Sequence, residues 1–315
     1  MILVFGSLNV DLVAPVPRLP HPGETVICEN YVIKPGGKGA NQAVAAARAA
    51  TGSEVEVHLY GAIGQDPFGD ICLKNLEEQG VAVHAISRTG QPTGTAFICV
   101  DSRGENLIIV ASGANALATA NEVPEAVLCQ GATTVLMQME VPPKENWALI
   151  QRAREVGATS ILNLAPAGGI PQSALKALDY LVVNEGEAAE VERLLGQDSN
   201  AAPDLMARAI SDASGAACVI TLGRSGAVAA QRGKVWQVGA LPIHPVDTTG
   251  AGDAFCGTFA VELDAGGTLV SALHRASVAA GLACTRLGAQ ESSPKADEVS
   301  ARLKDLPPPA LLPGP

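Results

Sequence analysis

Val246-Asp247-Thr248-Thr249-Gly250-Ala251-Gly252-Asp253-Ala254-Phe255 reads as a glycine turn running into a helix that extends to about residue 264. Two glycines bracketing an alanine permit tight backbone turning. Such a turn aims several unpaired N–H groups and the positive end of the helix dipole at one point, which suits an anion. Asp253 falls in the first helical turn. Spacing alone leaves it two roles: a helix N-terminal charge worth roughly 0.3–1 kcal/mol, or a carboxylate at the anion hole that takes a proton from an attacking hydroxyl.

Outward from that turn, short β-branched runs alternate with Ala- and Leu-rich amphipathic segments. Strands are expected at 1–5, 54–60, 81–86, 133–138, 158–163, 179–183 and 217–222. Helices are expected at 38–50, 68–79, 143–156, 185–195, 203–213, 250–264, 268–285 and 295–304. The alternation points to an α/β fold with a central, mostly parallel sheet and helices on both faces, because parallel strands need crossovers. Segments 11–35 and 94–111 break the rhythm: the first is extended and Pro-punctuated, the second a hairpin. They form either a small separate sheet, a lid over the end of the main one, or antiparallel edge strands of the main sheet. As a lid, its apolar Ile98, Ile108 and Val110 need cover from substrate or another subunit. Residues 1–305 are expected to be one domain. The Pro-rich tail 306–315 is expected to lack regular pairing and to be flexible, with a proline-motif ligand as the sharper alternative.

The 315 residues carry 21 Lys+Arg against 32 Asp+Glu, a net charge of −11, which argues against a broad nucleic-acid surface and otherwise favours solubility. No apolar run approaches a membrane span, and Met1–Phe5 leads into Gly6 as a first strand without a basic leader. Seven scattered cysteines, without a C-x-x-C pair, suggest reduced, mostly buried thiols in a cytoplasmic protein. There is no G-x-x-x-x-G-K-[ST] phosphate loop, and Gly6-Ser-Leu-Asn9 after the first strand is not the dinucleotide fingerprint.

Other strand ends carry polar groups. Gly36-Gly37-Lys38-Gly39-Ala40-Asn41-Gln42 opens a helix; it is either a ligand-approaching turn or a plain strand-to-helix turn. Asn9 and Asp11 face one way along an extended stretch, suited to two sugar hydroxyls or to an ordinary polar turn. Glu140 follows a strand. Asn184 and Glu187 either hold Mg²⁺, directly or through water, or cap a helix. Thr221, Gly223, Ser225 and Gly226 form a turn able to offer groups to a nucleotide.

This set, in this order, resembles the ribokinase-like family of carbohydrate kinases from about residue 2 to 304. Gly36–Gln42 matches the family's first signature and Asp247–Asp253 its second. The resemblance implies ATP-dependent phosphorylation of D-ribose at O5, with Asp253 as base and the Gly250, Ala251 and Gly252 amides stabilising the transferring phosphoryl group. It places Asn9, Asp11, Gly37, Lys38, Gly39, Asn41 and Glu140 around the sugar. Asn184, Thr221, Gly223, Ser225, Gly226, Gly252 and Ser277 fall around the nucleotide, and Glu187 at Mg²⁺, through water. It also implies a monovalent-cation (K⁺) site at Asp247, Thr249, Ala283, Arg286, Gly288 and Ser292, partly as backbone carbonyls, and a homodimer clasped through the lid. Two positions depart: Leu164 stands where the family usually has proline, and Gly186 replaces the Ser or Thr inside N-x-x-E, which loosens the turn carrying Glu187. Alternatives are a kinase for deoxyribose, another small sugar or a nucleoside, and a non-catalytic sugar or nucleotide sensor. Retention of Asp253 and the Gly250–Gly252 turn argues against the sensor.

Overall fold

The computed structural model describes residues 1–83, 86–129, 133–196 and 201–313. The chain enters as β1 (Ile2–Phe5), crosses into a second sheet as β2 (Asn9–Pro15) and β3 (Val32–Gly36), and returns through α1 (Lys38–Ala49), β4 (Val57–Gly64), α2 (Pro67–Glu78) and β5 (Ile86–Thr89). It leaves again as the hairpin β6 (Gly94–Val100) and β7 (Asn106–Ala111). After the short α3 (Glu125–Leu128) strands and helices alternate: β8 (Thr134–Met137), α4 (Pro143–Val156), β9 (Thr159–Asn163), α5 (Gln172–Ala177), β10 (Tyr180–Asn184), α6 (Glu185–Leu194), α7 (Pro203–Ser214) and β11 (Ala217–Thr221). A hairpin of β12 (Ala227–Gln231) and β13 (Lys234–Val238) precedes α8 (Ala251–Asp264), α9 (Leu269–Ala283), α10 (Ala296–Arg302) and β14 (Ala310–Leu311).

The main sheet runs β14-β13-β12-β11-β10-β9-β8-β1-β4-β5. From β11 to β5 every pairing is parallel, and β12 to β14 add an antiparallel edge. β1 lies third from the β5 edge with all four side chains fully buried, as a strand covered on both faces requires. Strand alternation divides the core: Leu3 and Phe5 face α4 to α7, whereas Ile2 and Val4 face α1, α2, α8, α9 and α10. On that second face α8 crosses α1 closely; a Cβ on Gly257 would stand 2.6 Å from the Ala46 nitrogen. The Ala-rich sequence of α1 thus brings the first turns of both helices together.

The two segments without crossover helices do form a separate sheet, ordered β3-β2-β6-β7. The edge-strand alternative is therefore set aside. Ile108 and Val110 are about half exposed there, together with Phe97 and Ile109.

Three expectations are corrected. The strand expected at 81–86 is a single bridge of Ala82 to His58 followed by β5 at Ile86–Thr89, with 84 and 85 outside the described residues. The β12–β13 hairpin adds two strands to those expected; Ala227-Val-Ala-Ala-Gln231 lacks the β-branched content that marks a strand, whereas Lys234-Val-Trp-Gln-Val238 carries it. The tail is not irregular throughout. Leu306 is buried, Ala310 and Leu311 pair with Gln237 and Trp236, and the Leu312 N–H reaches the Val235 carbonyl at 2.8 Å; residues 314 and 315 lie outside the described set. Prolines are tolerated there because β14 is an edge strand. All seven cysteines are free, but Cys72, Cys218 and Cys256 alone are buried, and Cys129 is exposed. No helix among the described residues is long and apolar enough to cross a membrane.

Candidate active site

The order of the main sheet reverses at β1, which has β4 on one side and β8 on the other. Ligands collect at the carboxyl ends of strands at such a switch point. Ser7 and Asn9 follow β1 there, Gln138 and Glu140 follow β8, and Asn163, Asn184 and Thr221 end β9, β10 and β11.

Asp253 lies at the centre. It sits in the first turn of α8, 7% exposed, and both carboxylate oxygens are held: Asn41 Nδ2 donates to Oδ2 at 3.1 Å and Gln42 Nε2 to Oδ1 at 2.9 Å. Burial raises its pKa; Lys38 and the two amides oppose that rise. The amides are themselves fixed. Gln42 is shared with Asn163 at 3.0 Å and receives a bond from Gln138 at 2.7 Å, while Gln290 donates to Asn41 Oδ1 at 2.9 Å and is bonded by Asn75. Gln42, Gln138, Asn163, Gln290 and Asn75 had no assigned role from sequence. Only the adjacency of Gln42 to Asn41 hinted at one, since both reach Asp253 from one helical turn.

No side chain caps α8; its N-cap is Gly250 at φ 75°. That left-handed conformation favours glycine, and a Cβ there would also stand 2.7 Å from the Ala289 backbone. The turn therefore leaves backbone N–H groups beside the carboxylate without a side-chain partner, the arrangement that stabilises charge developing on a phosphoryl group; the Ala251 N–H meanwhile makes a long bond of 3.3 Å to the Thr248 carbonyl.

On the side expected to take the sugar, Asn9, Glu140, Asn115 and Met139 line a cavity of about 360 Å³. Glu140 Oε2 accepts from Ser7 Oγ at 2.6 Å and from the Lys38 N–H, the first of α1, at 2.9 Å. Burial, helped by Glu140, lifts the Asp11 carboxyl to about 6, against the pull of Lys34. Burial pulls the Lys38 ammonium down, but Asp253, Glu140 and Glu187 outweigh it and the net shift is upward. Gly37 is the N-cap of α1, and Gly39 N–H donates to Ser7 Oγ at 3.2 Å. The expected sugar set thus converges from β2, α1, the end of β8 and α8.

The side expected to take the nucleotide is built differently. Thr221 ends β11, and Gly223 to Gly226 make a tight turn with Ser225 exposed. Asn184 and Glu187 form a reciprocal helix cap, Glu187 N–H to Asn184 Oδ1 at 2.9 Å and Asn184 N–H to Glu187 Oε2 at 2.8 Å. The capping alternative is therefore realised, and Glu187 Oε1 stays outside it. Burial raises the Glu187 carboxyl, opposed by the Asn184 N–H and Lys38. Ser277 is buried in α9 with its hydroxyl on the Leu273 carbonyl at 2.8 Å, so its hydroxyl hydrogen is already used.

The expected cation residues fall in two strands of loop tied together by Asp247, which accepts from Thr249 N–H at 2.9 Å and Gly288 N–H at 3.0 Å. Arg286 pairs with Glu298, and Ser292 Oγ donates to the Ala289 carbonyl at 3.2 Å. Ala283 is buried at the end of α9. Among the described residues no cluster of three His, Cys, Asp or Glu side chains is placed to hold a metal ion.

A buried, amide-held carboxylate beside a helix N-terminus without a side-chain cap, at the carboxyl ends of the strands, is an arrangement suited to phosphoryl transfer. The chain belongs to the family of pfkB carbohydrate kinases, whose model matches residues 1–296. It is 35% identical over 309 residues to the ribokinase of Lactococcus lactis, covering 96% of this chain and 97% of that one. Its fold matches the ribokinase of Thermotoga maritima with a TM-score of 0.88 at 33% identity, covering 96% of this chain and 99% of that one. The Arabidopsis thaliana ribokinase complexed with ribose and ATP matches with a TM-score of 0.84 at 30% identity, over 96% of this chain and 98% of that one.

Proposed function

We propose that this chain is a ribose kinase that transfers the γ-phosphoryl group of ATP to O5 of D-ribose, residues 1–305 acting as one catalytic unit under the β2-β3-β6-β7 lid. The observation that carries the reading is Asp253: a buried carboxylate, bonded by Asn41 and Gln42, in the first turn of an uncapped helix. Asp253 accepts the O5 proton as the oxygen attacks phosphorus, and its raised pKa makes it a better proton acceptor than an ordinary carboxylate. The Gly250, Ala251 and Gly252 amides meet the charge on the equatorial oxygens. Asn9, Asp11, Lys38, Asn41 and Glu140 hold the sugar so that O5 faces the base. The Thr221–Gly226 turn and α9 near Ser277 receive the nucleotide.

Mg²⁺ and a monovalent cation fit the oxygen donors present. Glu187 Oε1 is outside the helix cap and suits a water-mediated Mg²⁺ contact with Asn184 beside it. Asp247, Thr249, Ser292 and the carbonyls of Ala283, Arg286 and Gly288 would hold K⁺; the Arg286 guanidinium is drawn away by Glu298. Bound there, the two ions supply neutralisation of phosphate charge and order in the turn preceding α8. The half-exposed lid residues Phe97, Ile108, Ile109 and Val110 support a homodimer through the lid. Seven free cysteines support a cytoplasmic location.

The test is phosphate transfer from Mg·ATP to ribose, deoxyribose, fructose and adenosine, each with K⁺ or with a bulky organic cation alone. Ribose preferred with K⁺ stimulation is expected. Preference for another acceptor overturns the sugar assignment, and binding of ribose and ATP without transfer overturns the kinase reading.

A further inference from the structure

We propose that Asn115, which the sugar set read from the sequence does not include, is a positioning residue that makes Asn9 a one-sided hydrogen-bond donor and so sets the polarity with which the pocket reads a sugar oxygen. The proposal rests on the reading above for what fills the cavity. Leu8 falls between β1 and β2, and both of its backbone polar groups go to one side chain. Its N–H donates to Asn115 Oδ1 at 2.9 Å, and its carbonyl accepts from Asn115 Nδ2 at 3.1 Å. This pair decides which end of the Asn115 amide is which, since a reversed amide would set N–H against N–H and oxygen against oxygen. The remaining Asn115 Nδ2 hydrogen goes to Asn9 Oδ1 at 2.8 Å.

Asn9 therefore has its oxygen engaged by a donor that cannot turn, and its NH₂ is left for the cavity that Asn9, Asn115 and Glu140 line. Asn115 is 1% exposed and Asn9 3%, so reversing either amide would strand buried polar atoms. Two residues on, Asp11 can only accept when ionised. One strand face thus offers a donor and then an acceptor, a pattern that discriminates among sugar oxygens by what each can give or take. Gly94 makes the pairing possible: a Cβ there would stand 2.2 Å from Asn9 Oδ1 and 2.3 Å from Asn115 Nδ2. All three meet where the main body passes into the lid, at the β1–β2 junction, the start of β6 and the segment after β7.

The test uses the full chain and the acceptor that the wild type prefers. Asn115→Asp keeps an acceptor for the Leu8 N–H but cannot donate to Asn9, whose amide then turns its NH₂ to the new carboxylate and its oxygen to the pocket. The KM for sugar is expected to rise about tenfold to a hundredfold, with kcat and the KM for ATP changed less than about threefold. Gly94→Ala removes no polar group and is expected to raise the sugar KM in the same direction; it carries the test if the melting curve shows Asn115→Asp unfolded. In an Asn9→Ala background both substitutions are expected to lose their effect on sugar KM, because they act through that amide. An unchanged sugar KM in either folded variant, or an equal penalty with and without the Asn9 amide, overturns the proposal. A wild type that prefers an acceptor other than ribose overturns the substrate assignment instead, and the same variants are then read with that acceptor.

Discussion

The two halves of the cleft are built on opposite plans. On the proposed sugar side, side-chain amides lock one another and Asp253: Asn115 to Asn9, and Gln138 to Gln42 to Asp253, all among buried residues. On the proposed nucleotide side, backbone turns at Gly223–Gly226 and Thr248–Gly250 stand mostly exposed, while Asn184 Oδ1, Glu187 Oε2 and the Ser277 hydroxyl are engaged within their own helices and Glu187 Oε1 lies outside the cap. Buried amide networks specify orientation at the cost of tolerance. Exposed backbone turns bind phosphate through atoms that every residue carries. Substitutions in the first half are thus expected to be severe and specific, and in the second to matter only where they move the backbone.

The largest effect is expected at the junction of the two halves. Asp253→Asn keeps the size of the side chain but cannot take the O5 proton, so kcat should fall about 10²–10⁴-fold while calorimetric sugar affinity stays within severalfold. Turnover near the wild-type value would refute the base assignment. Next comes Gly250→Ala, which meets the Ala289 backbone and a left-handed φ of 75°. A displaced anion hole should lower kcat about 10²-fold with the sugar KM unchanged; a loss confined to sugar KM would erase the contrast between the halves.

Gln42→Leu sharpens the comparison through pH. Asp253 works as the carboxylate; burial already raises its pKa and the Gln42 amide lowers it. Removing the amide lets the pKa rise further, so the acid limb of kcat/KM moves to higher pH and the variant loses more activity at pH 6 than at pH 9. A limb that stays in place would mean that Gln42 only packs.

The fold and the backbone half of the site were legible in the sequence because glycine spacing states backbone geometry directly. Gly250-Ala-Gly252 before a helical pattern announces an open helix end, and the missing crossover helices at 11–35 and 94–111 narrow those segments to a separate sheet or antiparallel edge strands, between which the structure decides. The amide half was legible only in part. Asn41 lies within a motif, but Asn115, Gln138 and Gln290 are 96 to 249 residues from their amide partners Asn9, Gln42 and Asn41, and an amide has no spacing rule until the fold brings it to a partner. β12 was missed for a related reason. Its small side chains are buried on both faces, Val228 and Ala230 in one core layer and Ala227 and Ala229 in the other, and that burial is tertiary context that local propensity does not register.

Asp11→Asn separates binding from stability. Burial raises the Asp11 carboxyl from 3.8 to about 6, so the folded chain holds a proton that the unfolded chain releases between those values. Stability contributed at low pH is therefore lost as pH rises from about 4 to about 6. The neutral amide avoids that cost and should stabilise the sugar-free protein at pH 8 by about 1–3 kcal/mol, with no difference left below about pH 4. Denaturant unfolding at both pH values checks it, and equal stabilisation at pH 8 and pH 3.5 would show that charge is not the cause.

The smallest effect is expected at Ser225, and it tests the other plan most directly. Its side chain is exposed on a turn whose shape comes from Gly223 at φ 53° and Gly226 at φ 93°, with the Leu222 N–H bonded to the Gly226 carbonyl at 2.8 Å. Ser225→Ala leaves that backbone intact and removes at most one solvent-facing hydrogen bond, so the KM for ATP should rise less than about tenfold and the sugar KM not at all. Gly226→Ala differs, because its Cβ would stand 2.1 Å from the Val238 carbonyl oxygen and the turn must shift. If Ser225→Ala weakens ATP as much as Gly226→Ala does, the nucleotide half depends on side chains after all, and the two halves of the cleft share one plan.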